Sequence, residues 1–539
     1  MPVPSAESTA PLALPERTAR LGVWALCVVV FARNLGPIHE GDEWMHLAIG
    51  RWMLRHGALL PSPDPLVWHD LGGDLQHEWL AQWLLAATQQ TLGFAGLRLL
   101  AGGLIALTAA AIALALRSAS GRWSTSLAGT ALWWLVSQPN ASIRPHLFGW
   151  LSAVWVLGHV VPAPGPWTRR RWVVYTLSLL AWAQLHSSIL VAPAFLGLHT
   201  LGLVVQRWRA GQRLLAPAEV ARPALAAAAV LLQPCGWQLV PYALRSPQVA
   251  AGLVEEWAPT WQADVWLTQP QVAASLFALL AAVLVVALRR DPALAPPFPN
   301  LLPALLASAE TLHMRRMTFF SWLALLFVAQ RERLRLTPAT RSTAAGALAF
   351  AVWLALARTA TIWPQADWEA RHFPVLASAF LKQADLQGRL FNPDPWGGWL
   401  AWWLDGGLQP STDGRMLMAG RPWALASLAI QAHAPTAEAL LAEQRIDIVL
   451  QRRSDWLRIR PLDPSQFVLA WQDATAVVLL RRGAAFAGNV AKVCALYRAQ
   501  PHLAPMARWP VHLAPPPRHA DLPAPTDVPS VLDGCATQE

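Results

Sequence analysis

Long apolar runs recur through most of the chain, and they restrict its fold more than any other feature. They fall near residues 20–37, 94–116, 124–139, 145–162, 172–188, 190–206, 221–234, 270–288, 299–312, 316–330 and 342–361. Several are shorter than the ~20 residues a bilayer crossing prefers. The run at 299–312 is the weakest, being short and carrying Glu310. The pattern predicts an α-helical polytopic membrane protein with about eleven transmembrane helices. Hydrophobic residues make up 55% of the chain and charged residues 14%, against roughly a quarter charged in soluble proteins. The 31 Trp against 3 Tyr suit the aromatic belts at membrane interfaces.

Charge placement orders these runs. Arg17 and Arg20 precede the first. Arg117 and Arg122 follow the second, Arg169 to Arg171 the fourth, and Arg207, Arg209 and Arg213 the sixth. Arg289 and Arg290 follow the eighth, and Arg331, Arg333, Arg335 and Arg341 the tenth. Each cluster after the first follows an even-numbered run, so one side of the membrane carries the arginines and is the cytoplasmic side. The opposite loops hold the acids Glu40 to Glu43, Asp64, Glu78, Glu255 and Glu256. The formal charge of +10 therefore reads as topology and an arginine-rich composition, with only Lys382 and Lys492 as lysines, and no nucleic-acid partner is expected.

The expected organisation is a cytoplasmic segment at 1–19, a transmembrane region at 20–361 with a large first outer loop at 38–80, and an outer α/β domain at 362–483. A helical and then Pro-rich tail follows at 484–539. In the outer domain, β-rich runs at 388–392, 446–451, 467–471 and 475–481 alternate with helical stretches at 374–386 and 436–444, the pattern of a small α/β fold. Asn392 to Trp399 and Asp413-Gly414-Arg415 read as turns, the glycines permitting close backbone approach. No leader is evident, because residues 1–20 are polar and no small-residue cleavage site follows the first apolar run. Cys494 and Cys535 share the outer segment, where a disulfide can form if geometry allows.

The first outer loop is the richest in chemistry. It runs H-E-G-D-E-W-M-H-L-A-I-G-R-W-M-L-R-H-G, then P-S-P-D-P, then H-E-W-L. From Glu43 to His56 the spacing is helical, with Trp44, Leu47, Met45, Ala48 and Trp52 on a helix expected to lie parallel to the membrane. Asp42 and Glu43 stand at its start, where a helix dipole favours anions. Asp42 reads either as a cap or as a base or metal ligand, and the roles are compatible. Glu40, Asp42, Glu43 and His46 put several oxygen and nitrogen donors within a short stretch. His77-Glu78 closes the loop, Glu78 reading also as a first-turn helix acid.

Three further polar points interrupt apolar runs on the same side. Arg144-Pro145-His146 opens the fourth, Gln184 and His186 end the fifth, and His313, Arg315 and Arg316 join the ninth and tenth. Ionisable groups at such depths usually face a bundle interior or a ligand path, and cationic ones suit phosphate.

These motifs resemble a widespread group of bacterial membrane proteins related to the GT-C glycosyltransferases. In that group the loop typically reads D-x-W-W-H, then a D-P turn, then H-E-W-L. The later R-P-H, L-H at 185–186, H-x-R-R at 313–316, W-G-G-W and D-G-R fall here in the same order. The resemblance spans about residues 20–480. It implies a bacterial cytoplasmic-membrane enzyme taking a sugar from a polyprenyl-phosphate donor to a glycan, lipid or protein acceptor on the outer face. Asp42 matches the loop carboxylate, catalytic base or ligand of a divalent Mg or Mn ion, with Glu43 and Glu40 as helpers. His46, His77, Glu78, Arg144, His146, His186, His313, Arg315 and Arg316 are the expected substrate contacts. The chain departs from the group in having Trp-Met rather than two aromatics before His46. Its second outer loop, Gln138 to Arg144, carries no acid, so a two-loop metal site like that of oligosaccharyltransferases is not expected. The alternative is a non-catalytic scaffold or lipid-binding protein.

Overall fold

A computed structural model describes residues 16–71, 75–213, 215–250, 252–262, single positions between 272 and 283, 298–331, 372–456, 462–508 and 528–535. Most of the expected run at 270–288, all of that at 342–361, Arg289, Arg290, Arg333, Arg335, Arg341 and nearly all of the Pro-rich stretch 514–529 lie outside the described residues. The helices are α1 (Glu16–Arg33), α2 (Gly41–His56), α3 (Trp79–Ser120), α4 (Trp123–Ser137), α5 (His146–Ala153), α6 (Arg169–Leu185), α7 (Val191–Arg209), α8 (Pro217–Leu231), α9 (Leu239–Ala250), α10 (Phe298–His313) and α11 (Ser321–Arg331). There follow α12 (Val375–Gln383), β1 (Arg389–Phe391), α13 (Asp394–Leu404), α14 (Arg421–Gln431), α15 (Ala437–Glu443), β2 (Ile446–Arg452), β3 (Phe467–Gln472), β4 (Ala476–Arg481) and α16 (Phe486–Ala499).

The chain divides into two compact units. One holds Met1–Gly36, Ala95–Leu244 and Val254–Gln365; the other holds Pro37–Phe94, Arg245–Leu253 and Ala366–Glu539. The first outer loop thus folds with the C-terminal region. The division at residue 94 falls beside the break in α3, where Gly93 takes φ 66°, a conformation glycine adopts without steric cost.

In the helical unit, α1 packs on α4, α4 on α11, α11 on α10, α10 on α7 and α7 on α8. Large apolar side chains point outward along it, among them Leu21, Val28, Leu107, Leu177 and Leu201, as a lipid-solvated bundle requires. Among the described residues two helical segments, Trp79–Ser120 and Ser187–Arg209, are long and apolar enough to cross a membrane. The bent pair Pro217–Leu231 and Gly236–Ala250 makes a third if it counts as one span. Two of the other described runs end at polar features. His186 ends α6 in extended backbone, and a 3-10 turn at Arg315–Phe320 separates α10 from α11.

In the other unit the four expected strands form one sheet, ordered β1-β2-β4-β3. β1 runs parallel to β2, and β4 pairs antiparallel with both β2 and β3. Both faces are covered. Phe391, Ile446, Val449, Phe467, Leu469, Val477 and Leu479 pack with Ile430, Leu441 and Trp456. On the other face Phe380 of α12 stacks on Trp471 and on Tyr497 of α16. Burial on both sides explains why these strands read as continuous apolar runs. Cys494 of α16 is disulfide-bonded to Cys535, with Cα atoms 5.5 Å apart, tying the C-terminal residues back onto this layer.

Two expectations change here. The W-G-G-W segment is not a turn: it lies within α13. And α2, expected to lie half-exposed along a membrane, has every residue from Glu43 to Gly50 buried. Met45, Ala48, Ile49 and Met53 pack with Leu60, Leu66 and Ala401. Trp44 meets Phe94, Phe373 and Trp399 edge-on. Residues off the apolar stripe, Glu43, His46, Ile49 and Gly50, are buried as well, which helical periodicity does not reveal.

Candidate functional site

The geometry around Asp42 begins with glycine. A β-carbon on Gly41 would collide with the Pro395 carbonyl, and one on Gly398 with the Gly41 carbonyl. α2 and α13 therefore touch backbone to backbone. Further along, Arg51 donates to the Trp402 carbonyl, and Arg55 meets Asp405 at 2.7 Å. The contacts advance together along both helices, so α2 and α13 run in the same direction with their N-termini side by side. Each carries an acid in its first turn, Asp42 in α2 and Asp394 in α13. Two aligned helix starts reinforce the positive potential that favours carboxylates there.

The D-G-R motif closes this end. Gly414 has φ +99°, and a β-carbon on it would stand 2.7 Å from Asp42 Oδ1. Thr412 Oγ1 donates to Asp394 Oδ1 at 2.7 Å. Burial, with the Asp413 charge adding to it, pushes the Asp394 carboxyl up to about 6, against hydrogen bonds from Thr412 and the Gly414 amide. The turn itself is held by Arg415. Its Nε and Nη2 donate to Asp413 at 2.9 and 2.6 Å, and its Nη1 donates to Asp64 of the S-P-D-P segment at 2.6 Å. All three side chains are buried. Trp68 N and Gln409 Nε2 add bonds to the Pro410 and Pro65 carbonyls, so the first loop and the D-G-R turn are joined along their length.

A stability effect follows from Asp394. Its folded pKa lies above the ordinary carboxyl value, so the unfolded chain gives up that proton first as pH rises. Stability is lost from about pH 4 and the loss is complete above about pH 6. Asp394→Asn, which removes the ionisation, raises stability above pH 6 by up to about 3 kcal/mol and leaves it nearly unchanged below pH 4. Thermal unfolding of both proteins from pH 4 to 8 measures the difference, and a constant difference across that range contradicts the assignment.

The remaining loop residues take separate places. Glu43 Oε2 accepts from the backbone amides of His39 and Glu40 at 3.1 and 3.2 Å, the reciprocal half of a capping box. Glu40 lies 3.8 Å from His39. His46, one turn beyond Asp42 on the same helix face, has its Nδ1 3.1 Å from Gln82 Nε2 and 3.8 Å from Glu78 Oε2. Glu78 Oε1 is 3.4 Å from His77 Nε2. The structure therefore gathers His46 and Glu78, both buried, with the partly exposed His77. Among the described residues no three His, Cys, Asp or Glu side chains converge with metal-holding geometry.

The helical unit holds the other predicted contacts. Glu256, in a 3-10 turn at Glu255–Trp257, bridges two arginines. Arg144 Nη2 is 3.2 Å from one of its oxygens and Arg316 Nη1 3.3 Å from the other. Arg316 also lies over the Trp257 ring at 5.3 Å. Arg315 reaches Gln262 at 3.4 Å instead. His146 Nε2 lies 2.7 Å from the Asn140 carbonyl, and its ring centroid is 6.4 Å from that of His186. His186 caps the following turn through the Ser188 amide at 3.0 Å. His313 ends α10 exposed and, among the described residues, joins no part of this group. The cluster is two guanidiniums sharing one carboxylate, partly open to solvent.

Two solved structures share this arrangement of elements at low sequence identity. The archaeal oligosaccharyltransferase AglB from Archaeoglobus fulgidus, in complex with an inhibitory peptide and a dolichol-phosphate, superposes with TM-score 0.55 and 12% identity, over 82% of this chain and 70% of that one. ArnT from Cupriavidus metallidurans in the apo state superposes with TM-score 0.52 and 14% identity, over 88% of this chain and 98% of that one. The chain has the GT-C glycosyltransferase fold. No protein-family model and no curated protein sequence matches it, so the GT-C assignment rests on three-dimensional likeness together with the loop motifs. The GT-C fold is a membrane fold, in accord with the apolar helices above. Three residues that sequence reasoning left out are central to the geometry around Asp42, namely Asp64, Asp394 and Arg415; Glu256 was likewise left out of the arginine cluster of the helical unit. Asp64 and Arg415 do sit in the S-P-D-P and D-G-R motifs. Nothing in the sequence pairs them across a separation of 351 residues.

Proposed function

We propose that the chain is a membrane glycosyltransferase moving a hexosyl or pentosyl group from a polyprenyl-phosphate donor to an acceptor on the outer face of a bacterial cytoplasmic membrane. The observation that carries this reading is Asp42: a half-buried carboxylate at a helix start, confined by a glycine whose missing side chain makes its space. In this inverting transfer the acceptor hydroxyl gives its proton to Asp42 as its oxygen bonds to the anomeric carbon. The bond from that carbon to the phosphate oxygen breaks, and polyprenyl phosphate leaves. Within the helical unit, Arg144 and Arg316, which flank Glu256, are proposed contacts for an anionic group of the lipid carrier. The proposal includes about eleven crossings, which put the sheet domain outside. The Cys494–Cys535 disulfide supports that side, because disulfides persist in oxidising compartments.

The test is transfer in membranes containing the full chain, from a panel of radiolabelled polyprenyl-phosphate hexoses and pentoses to the membranes' own acceptors. Label in acceptor material from at least one donor is expected. No transfer and no release from any donor would favour the scaffold reading.

A further inference from the structure

We propose that Arg222 is the centre of a phosphate-binding site in the helical unit, separate from the arginines around Glu256 and independent of the glycosyltransferase reading. Arg222 lies in α8, which packs on α6 and α7, and is 7% exposed. A guanidinium buried to that degree normally has a counter-ion and acceptors for its five N–H groups. Here Nε donates to the Ala218 carbonyl at 3.2 Å. Among the described residues no group accepts from the two terminal nitrogens and no carboxylate pairs with them. The neighbouring acid, Glu219, is already taken: Arg207 donates to both of its oxygens at 2.7 Å, and the Ala216 amide adds a bond at 2.8 Å. Arg171 and Arg207 are close enough to repel Arg222. The Trp167 ring lies 4.3 Å from the Arg171 guanidinium and 5.3 Å from that of Arg222. A ring shared by two cations offsets part of their charge and leaves the excess in place.

An anion held by the terminal nitrogens supplies both the counter-charge and the acceptors. The planar fork of a guanidinium matches a pair of phosphate oxygens. The same helix ends expose Val173 and Val174 of α6 and Val220 of α8, apolar surface suited to acyl chains beside a headgroup. The phosphate of a membrane lipid fits both features, and free phosphate fits the first. Arg171 stands in the first turn of α6 and His186 caps its other end. The 17 residues of that helix put about 25 Å between them, so the site lies away from the His146–His186 group. Tyr175 Oη donates to the Arg222 carbonyl at 2.8 Å, so a ligand on Arg222 braces the contact of α6 with α8.

The experiment uses the purified full chain in a non-ionic detergent and three probes: short-chain phosphatidylglycerol, diacylglycerol with the same chains, and inorganic phosphate. Affinity is read by titration, and the melting temperature beside it. Phosphatidylglycerol at about 100 times its Kd is expected to raise the wild-type Tm by about 5 °C. Arg222→Met should lower that affinity about tenfold to a hundredfold, the worth of a hydrogen bond to a charged group. Without any probe it should melt at or above the wild type, because it removes a buried charge. Arg170→Met removes an exposed arginine from the same end of α6 and should keep the affinity within about twofold. A response to phosphatidylglycerol alone, lost in Arg222→Met, assigns a lipid headgroup. An equal response to inorganic phosphate, also lost in Arg222→Met, assigns free phosphate to the same site. Binding that diacylglycerol matches, that persists in Arg222→Met or that falls equally in Arg170→Met overturns the proposal, as does no binding of any probe. Should Arg222→Met fail to accumulate, Arg222→Gln decides by the same criteria.

Discussion

Asp42→Asn is expected to lower sugar transfer by roughly 10²–10⁴-fold while the protein remains folded, since removing a positioned general base typically costs that much. Asparagine keeps the size of the side chain and a carbonyl oxygen at the start of α2. It fits the space beside Gly414 and loses only basicity. The neighbouring carboxylate provides the contrast. Glu43 is buried and accepts from two backbone amides, so Glu43→Gln should weaken the helix start by about 1 kcal/mol and change the transfer rate far less. Initial rates and melting temperatures for the two variants separate the roles. Transfer that survives in a well-expressed Asp42→Asn protein would move the base to another residue.

Arg415→Met has the largest expected effect on stability. The guanidinium is the shared partner of Asp413, which is fully buried, and of Asp64, whose side chain is 6% exposed. Removing it leaves two buried carboxylates, and breaking a buried pair by deleting one partner costs about 3–5 kcal/mol. Lysine restores the charge without the planar fork that reaches both acids, so Arg415→Lys should fall between wild type and Met. Loss of transfer should accompany the loss of stability, because Asp413 and Arg415 flank the glycine that confines Asp42. Melting in detergent measures the first effect; an Arg415→Met protein that melts with the wild type would show that the triad does not hold the turn.

The expected strands and the helices at 374–386 and 436–444 are found within a few residues of their predicted bounds. A strand buried on both faces is a short apolar run wherever it occurs, and its signal is local. The helix at Asp394–Leu404 was missed for an equally local reason. Its opening Asn-Pro-Asp-Pro and its two glycines are turn signals, and only the close approach of α2 explains glycine in a helix there. The R-P-H and H-x-R-R motifs were legible as cationic points facing one side. That Arg144 and Arg316 share Glu256 depends on how three loops meet.

The sequence alone carried the membrane class and the α/β character of the C-terminal region, and it singled out Asp42 as a candidate and one side of the chain as the arginine-bearing side. Each follows from hydrophobic period, charge bias or a motif within a few tens of residues, where neighbours along the chain report the environment. The partnership of Asp64 with Arg415, the pairing of α2 with α13, and the placing of Asp394 and Gly414 at Asp42 were decided by tertiary structure. They join residues more than 300 positions apart through buried charge and backbone contact. Such contacts are specified by the packed shape of the whole unit, and no local pattern records them.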